Sequence, residues 1–176
     1  MKAKDETIYD CFYNYASKHP KDIALNYYNR KFTYEDVLKK IDKTANALNA
    51  LGVEKLDIIT LCLPNIPEAV ILFYAINKIG AVSNMVHPLS SEKELEFYIN
   101  SVDSKYILVI DAVFEKILKL KDKTNLKKII IAKASEDMSL PLASVYWLLT
   151  GRKIKIPKDD PSIVMWEEFI NGSSNY

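Results

Sequence analysis

Glycine is scarce in this sequence. Its 176 residues include only four glycines, at positions 52, 80, 151 and 172. A loop that wraps phosphate groups needs clustered glycines, because side chains would keep its backbone N–H groups away from the anion. No two of the four glycines are close in sequence, so a glycine-rich phosphate loop is absent.

Cysteine is equally sparse, with only Cys11 and Cys62. Cys11 lies in an aromatic-rich helical stretch and Cys62 in an apolar run, and neither has a partner at metal-ligand spacing. We therefore predict two reduced, buried thiols rather than a disulfide or a metal site. No metal-binding residue is assigned.

Charge imbalance and long apolar runs are missing too. Lys+Arg 24 against Asp+Glu 23 gives a net charge of +1, which provides no overall field for recruiting nucleic acid or a membrane. No run approaches the ~18 apolar residues of a membrane span. The charged start, MKAKDETIYD, lacks the apolar core of a secretion signal. These features predict a cytoplasmic protein without a transmembrane segment or a nucleic-acid partner.

The remaining composition is that of a globular protein. Hydrophobic residues make up 49% and charged residues 27% of the chain, a balance that can bury a core. The length suits one domain or a substantial part of a larger one.

The first 52 residues predict a helix, a β-hairpin and a second helix. Helical spacing of apolar residues covers Thr7 to Lys18, and two short strands flank Asn29-Arg30. Thr33 and Asp36 form a capping box for the second helix, and Gly52 supplies its left-handed stop.

Four continuous apolar runs follow, DIITLCL, AVSNMV, YILVI and KIIIA, separated by helical patterns. Continuous runs are typical of strands that are covered on both faces. We therefore predict an α/β fold with a parallel sheet flanked by helices on both faces. Asn65 with Glu68, and Ser91 with Glu94, predict capping boxes for two of these helices.

The pattern changes after Ala134. The remainder predicts a helical patch over Leu142 to Leu149, a basic connector and a short amphipathic helix, without an obvious further strand. We expect residues 1–134 to form the α/β unit and residues 135–176 to form a connector with a short helix.

Ligands in parallel α/β sheets bind at the carboxyl ends of strands. Four positions follow predicted strands, namely Pro64-Asn65, Val86-His87, Asp111 and Ala132-Lys133. His87 is interpreted as a loop histidine or as part of a pocket wall, because no partner for catalysis or metal binding accompanies it. Asp111 is interpreted as a helix N-cap or as a carboxylate that faces a ligand.

Lysines are dense in two places, with six between Lys116 and Lys128 and a second basic stretch at residues 152–158. Neither stretch has the interleaved aromatic residues or the motif of a nucleic-acid binder. We interpret both as solvated surface.

Several elements in order resemble the N-terminal part of the adenylate-forming superfamily, which includes acyl-CoA synthetases, luciferases and adenylation domains of peptide synthetases. FTYE, with Thr33 and Tyr34, resembles the family's LTYxEL element, and WEEFING resembles its Trp-x-x-Phe segment. Two longer stretches carry the rest: Pro64, Asn65 and Glu68 resemble a PNxxE turn, and Gly80, Asn84 and Pro88 resemble GAVxxNP. The resemblance is strongest from Thr7 to Val109.

The resemblance implies an enzyme that activates a small carboxylic acid with ATP and Mg²⁺ to an acyl-adenylate and transfers the acyl group to CoA. It also implies that the phosphate loop, the magnesium ligands and the catalytic lysine lie in the remainder of the synthetase chain, because none has a counterpart here. We therefore assign no catalytic or cofactor-binding residue, interpret the eight motif residues as structural, and expect an inactive fragment whose truncation surfaces could form dimers.

Three alternatives stay open from sequence. The chain could be a naturally short scaffold or regulator, or a flavodoxin-like domain with Asn65, His87 and Asp111 around a pocket. It could also be part of a peptide-synthetase or carrier-protein ligase.

Overall fold

The structure is a computed structural model and describes residues 6–134, 144, 148, 156–157 and 159–172.

The N-terminal helix packs against the rest of the molecule through aromatic rings. Helix α1 spans Ile8–Ala16. It starts at a Thr7–Asp10 capping box in which the Thr7 hydroxyl accepts the Asp10 N–H at 3.1 Å. Phe12 stacks on Tyr74, with ring centroids 4.3 Å apart.

The hairpin is confirmed, with its turn one residue earlier than expected. Strands β1, Ile23–Tyr27, and β2, Arg30–Thr33, pair antiparallel. Tyr28 and Asn29 form the turn with φ values of 46° and 67°. Two positive φ values match the type I′ turn, whose twist suits two-residue hairpins.

Helix α2, Tyr34–Ala50, confirms the first predicted capping box and the glycine stop. The Thr33 hydroxyl accepts the Asp36 N–H, and the Asp36 carboxylate accepts the Thr33 N–H at 3.0 Å. Gly52 follows the helix with φ +86°. The buried stripe of α2 includes Val37, Ile41 and Leu48, each with no exposed surface.

A five-stranded parallel sheet forms the centre, in the order β4-β3-β5-β6-β7. Its strands are β3 Ile58–Cys62, β4 Val82–Met85, β5 Tyr106–Ile110, β6 Lys128–Ala132 and β7 Ile163–Met165. Every residue of β5 is buried, as expected for a strand covered on both faces.

The sheet reverses its winding direction after β4. The chain passes from β3 outward to β4, then back across β3 to β5 and onward to β6. Since parallel crossovers are right-handed, the reversal puts α3, Pro67–Lys78, on one face and α4, Glu92–Ser101, with α5, Phe114–Leu118, on the other. Helix α2 packs on α3, and α4 contacts α5. The predicted parallel sheet with helices on both faces is confirmed.

The C-terminal part contains a strand that the sequence did not reveal. Ile163–Met165 pairs with β6 as the fifth strand, and helix α6, Trp166–Asn171, packs on α2 and β6. The expectation of a tail without a further strand is therefore wrong. The three residues of this strand are too few to show a recognisable apolar pattern in the sequence. In the structure they form a strand because they pair with β6. The predicted helix at 142–149 and basic stretch at 152–158 lie mainly outside the described residues.

The core runs through the whole described part, from Phe32 in the hairpin to Phe169 in α6. Among the described residues, no helix has both the length and the apolar character needed to cross a membrane.

Candidate functional site

A groove of about 780 Å³ opens at the carboxyl ends of the strands. It lies where β3, β4 and β5 end, at the reversal of the winding direction. Parallel α/β sheets bind ligands at such a switch point because the loops after neighbouring strands diverge there. Its walls include Leu63, Asn65, Val86, His87, Ile110 and Ala134.

The groove is largely apolar. Asn65 and His87 are the polar side chains among its described lining residues, and none of those residues is charged. Two large apolar side chains on its rim are strongly exposed, with 61% of Met85 and 82% of Leu89 accessible to solvent. The surface suits an apolar ligand or a further protein segment better than a phosphate.

His87 lies in the groove wall and also organises its own loop. Its Nδ1 accepts the Leu89 N–H at 3.1 Å, and its carbonyl oxygen accepts the Ser90 N–H at 3.0 Å. In the neutral ring this contact places the remaining proton on Nε2. Both interpretations of His87, a loop residue and a pocket wall, describe its position.

The prediction that Asn65 caps α3 is wrong. The N-cap is Ile66, which makes no side-chain capping bond, and Pro67 is the first helical residue. Asn65 lies in a tight turn before the helix, in which the Ile66 N–H donates to the Pro64 carbonyl at 2.8 Å. Its exposed side chain lies in the groove wall instead.

Asp111 is buried and does not serve as an N-cap. The N-cap of the 3₁₀ turn Asp111–Val113 is Ile110 and that of α5 is Val113. The Asp111 carboxylate accepts the N–H groups of Ala112 at 2.9 Å and Ala134 at 3.3 Å. It therefore connects the ends of β5 and β6 and is not among the residues that line the groove.

The eight motif residues divide into three groups by position. Pro64, Asn65 and Pro88 line the groove. Thr33 and Tyr34 lie away from it, where Thr33 caps α2 and Tyr34 contacts the Phe12 and Tyr15 rings.

The other three motif residues belong to the frame around the groove. Glu68 is buried in the first turn of α3. Gly80 ends α3 with φ +76°. Asn84 on β4 donates through Nδ2 to the Thr60 hydroxyl at 3.1 Å, which joins the edge strand to β3.

The lysines between 116 and 128 mainly connect elements of this chain. Lys119 pairs with Glu92 and Lys121 with Asp160, each at 2.6 Å. Lys116 donates to the Ser90 carbonyl at 3.0 Å. These contacts link α5 to α4 and to the loop before it, and they link Lys121 to the segment that precedes β7. The lysines thus have specific partners in addition to lying on the predicted solvated surface.

Cys62 and Cys11 differ in burial, so the prediction of two reduced, buried thiols is confirmed only in part. Cys62 is buried, and burial raises the pKa of its thiol to about 11. Cys11 is exposed on α1 and not buried as expected. Both are free thiols, as predicted.

The described residues do not offer the ligands that Mg²⁺ and ATP would need. They contain no group of three or more His, Cys, Asp or Glu side chains arranged to hold a metal, and the groove lining has no charged donor. Oxygen ligands of the kind that Mg²⁺ prefers are not gathered in this part of the molecule. We therefore derive no metal- or nucleotide-dependent step from these residues.

Fold and groove together define a doubly wound α/β unit with a switch-point site. Comparison with known proteins identifies the family: the sequence model described as AMP-binding enzyme matches residues 12–166. The chain belongs to this family. The resemblance found from the sequence motifs is thereby confirmed, and an unrelated flavodoxin-like protein is ruled out.

Curated relatives include CoA-dependent ligases of different acids. A long-chain-fatty-acid–CoA ligase from Bacillus subtilis is 28% identical over 155 residues, which cover 88% of this chain and 28% of the relative. An acetyl-coenzyme A synthetase from Deinococcus radiodurans is 40% identical over 87 residues, covering 49% of this chain and 13% of the relative. The chain thus spans less than a third of either relative.

A solved structure supports the fold over nearly the whole chain. Coronafacic acid ligase from Pectobacterium brasiliense superposes with a TM-score of 0.77 at 23% sequence identity. The match covers 94% of this chain and 29% of that one.

Proposed function

We propose that this chain is the N-terminal α/β part of a longer AMP-forming acid–thiol ligase. The longer protein would use ATP and Mg²⁺ to convert a carboxylic acid to an acyl-adenylate, and then transfer the acyl group to CoA. The observation that carries the proposal is the family match over residues 12–166 in a chain that spans only 28% of its Bacillus relative.

CoA is the proposed acceptor because the two relatives named above are both CoA ligases or synthetases. Their acids differ, one being a long-chain fatty acid and the other acetate. The acid is therefore proposed only as a class, the carboxylic acids. A carrier-protein acceptor, as in peptide synthetases, is the alternative.

The proposed role of this chain within the enzyme is to frame the site. Its sheet and helices present an apolar groove with Asn65 and His87 in the wall. The groups that stabilise charge during adenylate formation would come from the rest of the longer protein. Without them the electrostatic stabilisation that phosphoryl chemistry depends on is missing. We accordingly expect this chain alone to be inactive and the longer protein to work in the cytoplasm.

The test begins with the coding sequence downstream of Tyr176. An open frame that soon encodes a Ser/Thr/Gly-rich loop ending in Pro-Lys-Gly supports the proposal. The full product and the 176-residue chain are then assayed separately for ATP–pyrophosphate exchange, with acids from acetate to long-chain fatty acids. We expect acid-dependent exchange from the full product only.

Two results would count against the proposal. A stop codon directly after Tyr176 favours the naturally short, non-catalytic scaffold or regulator. Acid-dependent exchange by the 176-residue chain itself would show that the reacting groups are present here after all. Transfer of the acyl group from the full product to CoA or to a carrier protein separates the two acceptors.

A further inference from the structure

One asparagine of this sequence is followed directly by a glycine, at Asn171-Gly172. In such a pair the backbone nitrogen of the glycine can approach the side-chain amide carbon of the asparagine, because the glycine has no Cβ to hinder it. Every other asparagine of the sequence precedes a residue that has a Cβ. Attack on an asparagine side chain by the next backbone nitrogen therefore meets the least steric resistance at Asn171.

The pair lies at the end of a short helix. Asn171 is the last residue of α6, which has six residues, and Gly172 is its C-cap. Asn171 is exposed. The Gly172 N–H donates to the Glu168 carbonyl at 2.6 Å. This hydrogen bond has to open before the nitrogen can attack, and the last hydrogen bond of a helix opens by fraying.

Lys43 of α2 contacts the same side-chain amide. Its ammonium group donates to the Asn171 side-chain oxygen at 2.7 Å. A positively charged donor stabilises the negative charge that the attack of a nucleophile places on this oxygen. It also withdraws electron density from the amide carbon. The contact therefore makes the Asn171 side chain more reactive towards the neighbouring backbone nitrogen.

We propose that Asn171 is a site of spontaneous deamidation and that Lys43 promotes the reaction. The Gly172 nitrogen gives its proton to hydroxide and forms a bond to the side-chain carbon of Asn171. The bond from this carbon to Nδ2 breaks, Nδ2 takes up a proton from water, and ammonia leaves behind a cyclic imide. Water then opens the ring at either carbonyl, which gives aspartate or isoaspartate. This inference does not rest on the proposed enzymatic function.

Both products change the contact between α2 and α6. A neutral amide becomes a carboxylate, so the formal net charge of +1 falls by one unit. In the aspartate product the carboxylate faces the Lys43 ammonium, and a hydrogen bond between the two helices becomes an ion pair. The isoaspartate product also has one more carbon in the main chain at the end of α6.

Ageing of the purified 176-residue chain tests the proposed site. The chain is incubated at mildly alkaline pH, resolved by isoelectric focusing and digested, and its peptides are analysed by mass spectrometry and for isoaspartate. We expect an acidic species to accumulate as ammonia is released, and its modified peptide to carry the change at Asn171. Gly172→Ala is the matched control, because Gly172 has a φ of −80°, which alanine adopts without strain. This variant should become acidic at least severalfold more slowly.

Two substitutions of Lys43 test the role of its ammonium group, with circular dichroism to check that each chain is folded. We expect Lys43→Met to slow the release of ammonia severalfold, and Lys43→Arg, which keeps a cation, to retain the wild-type rate. In concentrated urea all three chains should react at the same rate, because the contact between Lys43 and Asn171 exists only in the folded protein.

Two results would overturn the proposal. The first is a folded wild-type chain that stays unmodified at Asn171 over a period in which the urea-unfolded chain reacts fully, since the helix end would then close the site. The second is a folded Lys43→Met chain that loses ammonia as fast as the wild type. The Lys43 contact would then have no effect on the reaction.

Discussion

At the residue scale, three helices end in the same way with different residues. After α2, α3 and α4, the residue past the C-cap has positive φ: Gly52 at +86°, Gly80 at +76° and Asp103 at 48°. In each case the N–H of the following residue donates a hydrogen bond to a carbonyl in the last turn of the helix, as the Ala81 N–H does to the Ile76 carbonyl at 3.0 Å. This pattern is the Schellman motif, which requires a left-handed residue.

The two glycines allow a matched prediction. A Cβ added at position 52 would meet no atom within 4 Å. A Cβ added at position 80 would lie 3.1 Å from Cγ of Lys55. We expect Gly52→Ala to lower the free energy of unfolding by about 1–2 kcal/mol, because of left-handed strain alone. Gly80→Ala should cost at least as much, because the Lys55 side chain must also move. Urea denaturation measures both.

Lys55 provides the control for this comparison. In a Lys55→Ala background the close contact is gone, so any excess cost of Gly80→Ala over Gly52→Ala should disappear. A Gly80→Ala chain as stable as the wild type would mean that the backbone there does not need the left-handed conformation.

At the element scale, helix starts were only partly readable from sequence. Three Ser/Thr-x-x-Asp/Glu boxes form, at α1, α2 and α4, where the polar residue directly precedes the helix. The Asn65-x-x-Glu68 pattern has the same spacing but does not form a box, because Pro67 fixes the first helical position two residues later. Spacing alone does not say where a proline makes the helix begin.

This difference predicts unequal costs for two alanine substitutions. Ser91 accepts the Glu94 N–H at 3.3 Å, so Ser91→Ala should lower the free energy of unfolding by about 1 kcal/mol. Asn65 is exposed and caps nothing, so Asn65→Ala should change stability by less than about 0.5 kcal/mol. Equal losses in urea denaturation would restore the capping role of Asn65.

The approach to β7 gives a prediction for pH. Asp160 is held by Lys121 at 2.6 Å and by the Ser162 hydroxyl and N–H, which lower the pKa of its carboxyl from 3.8 to about 2. A lowered folded-state pKa means that the carboxylate stabilises the fold above the ordinary pKa. That stabilisation is lost as the pH falls from about 4 towards 2.

Comparison with Asp160→Asn isolates this contribution. The other carboxyl groups titrate in both proteins, so the difference in unfolding free energy between wild type and variant should be constant near neutral pH and shrink below about pH 4. Urea denaturation over this range measures it. A difference that is independent of pH would show that Asp160 has no special partner in the folded state.

At the scale of the whole molecule, the C-terminal segment is part of the core. Phe169 is 1% exposed and its ring lies 5.7 Å from that of Trp166. Lys43 of α2 also donates to the Asn171 side chain at 2.7 Å. The sheet therefore includes chain on both sides of residue 134.

Phe169→Ala tests this arrangement. We expect it to lower the free energy of unfolding by about 3–5 kcal/mol, as the loss of a buried phenylalanine does elsewhere. Phe114→Ala, at a fully buried position before residue 134, is the comparison. If α6 were a separate connector, Phe169→Ala would leave the main unfolding transition unchanged while Phe114→Ala would shift it.

The amino-acid sequence by itself determined the family, the α/β class, the hairpin and the capping boxes of α2 and α4. These depend on local patterns, namely continuous apolar runs, turn residues and cap spacing, which need no knowledge of distant neighbours. Motif residues in order, such as Pro64, Gly80 and Pro88, carried the family relationship.

Only the tertiary structure decided which strands are neighbours, that Ile163–Met165 completes the sheet, and which residues form the groove. It showed that the Asp111 carboxylate accepts the Ala134 N–H and is not part of the groove lining, and that Asn65 lies in the groove wall and not at the helix cap. The physical reason is that strand order and side-chain surroundings come from contacts between residues far apart in sequence. A three-residue strand or a single carboxylate acquires its role only when those distant partners are in place.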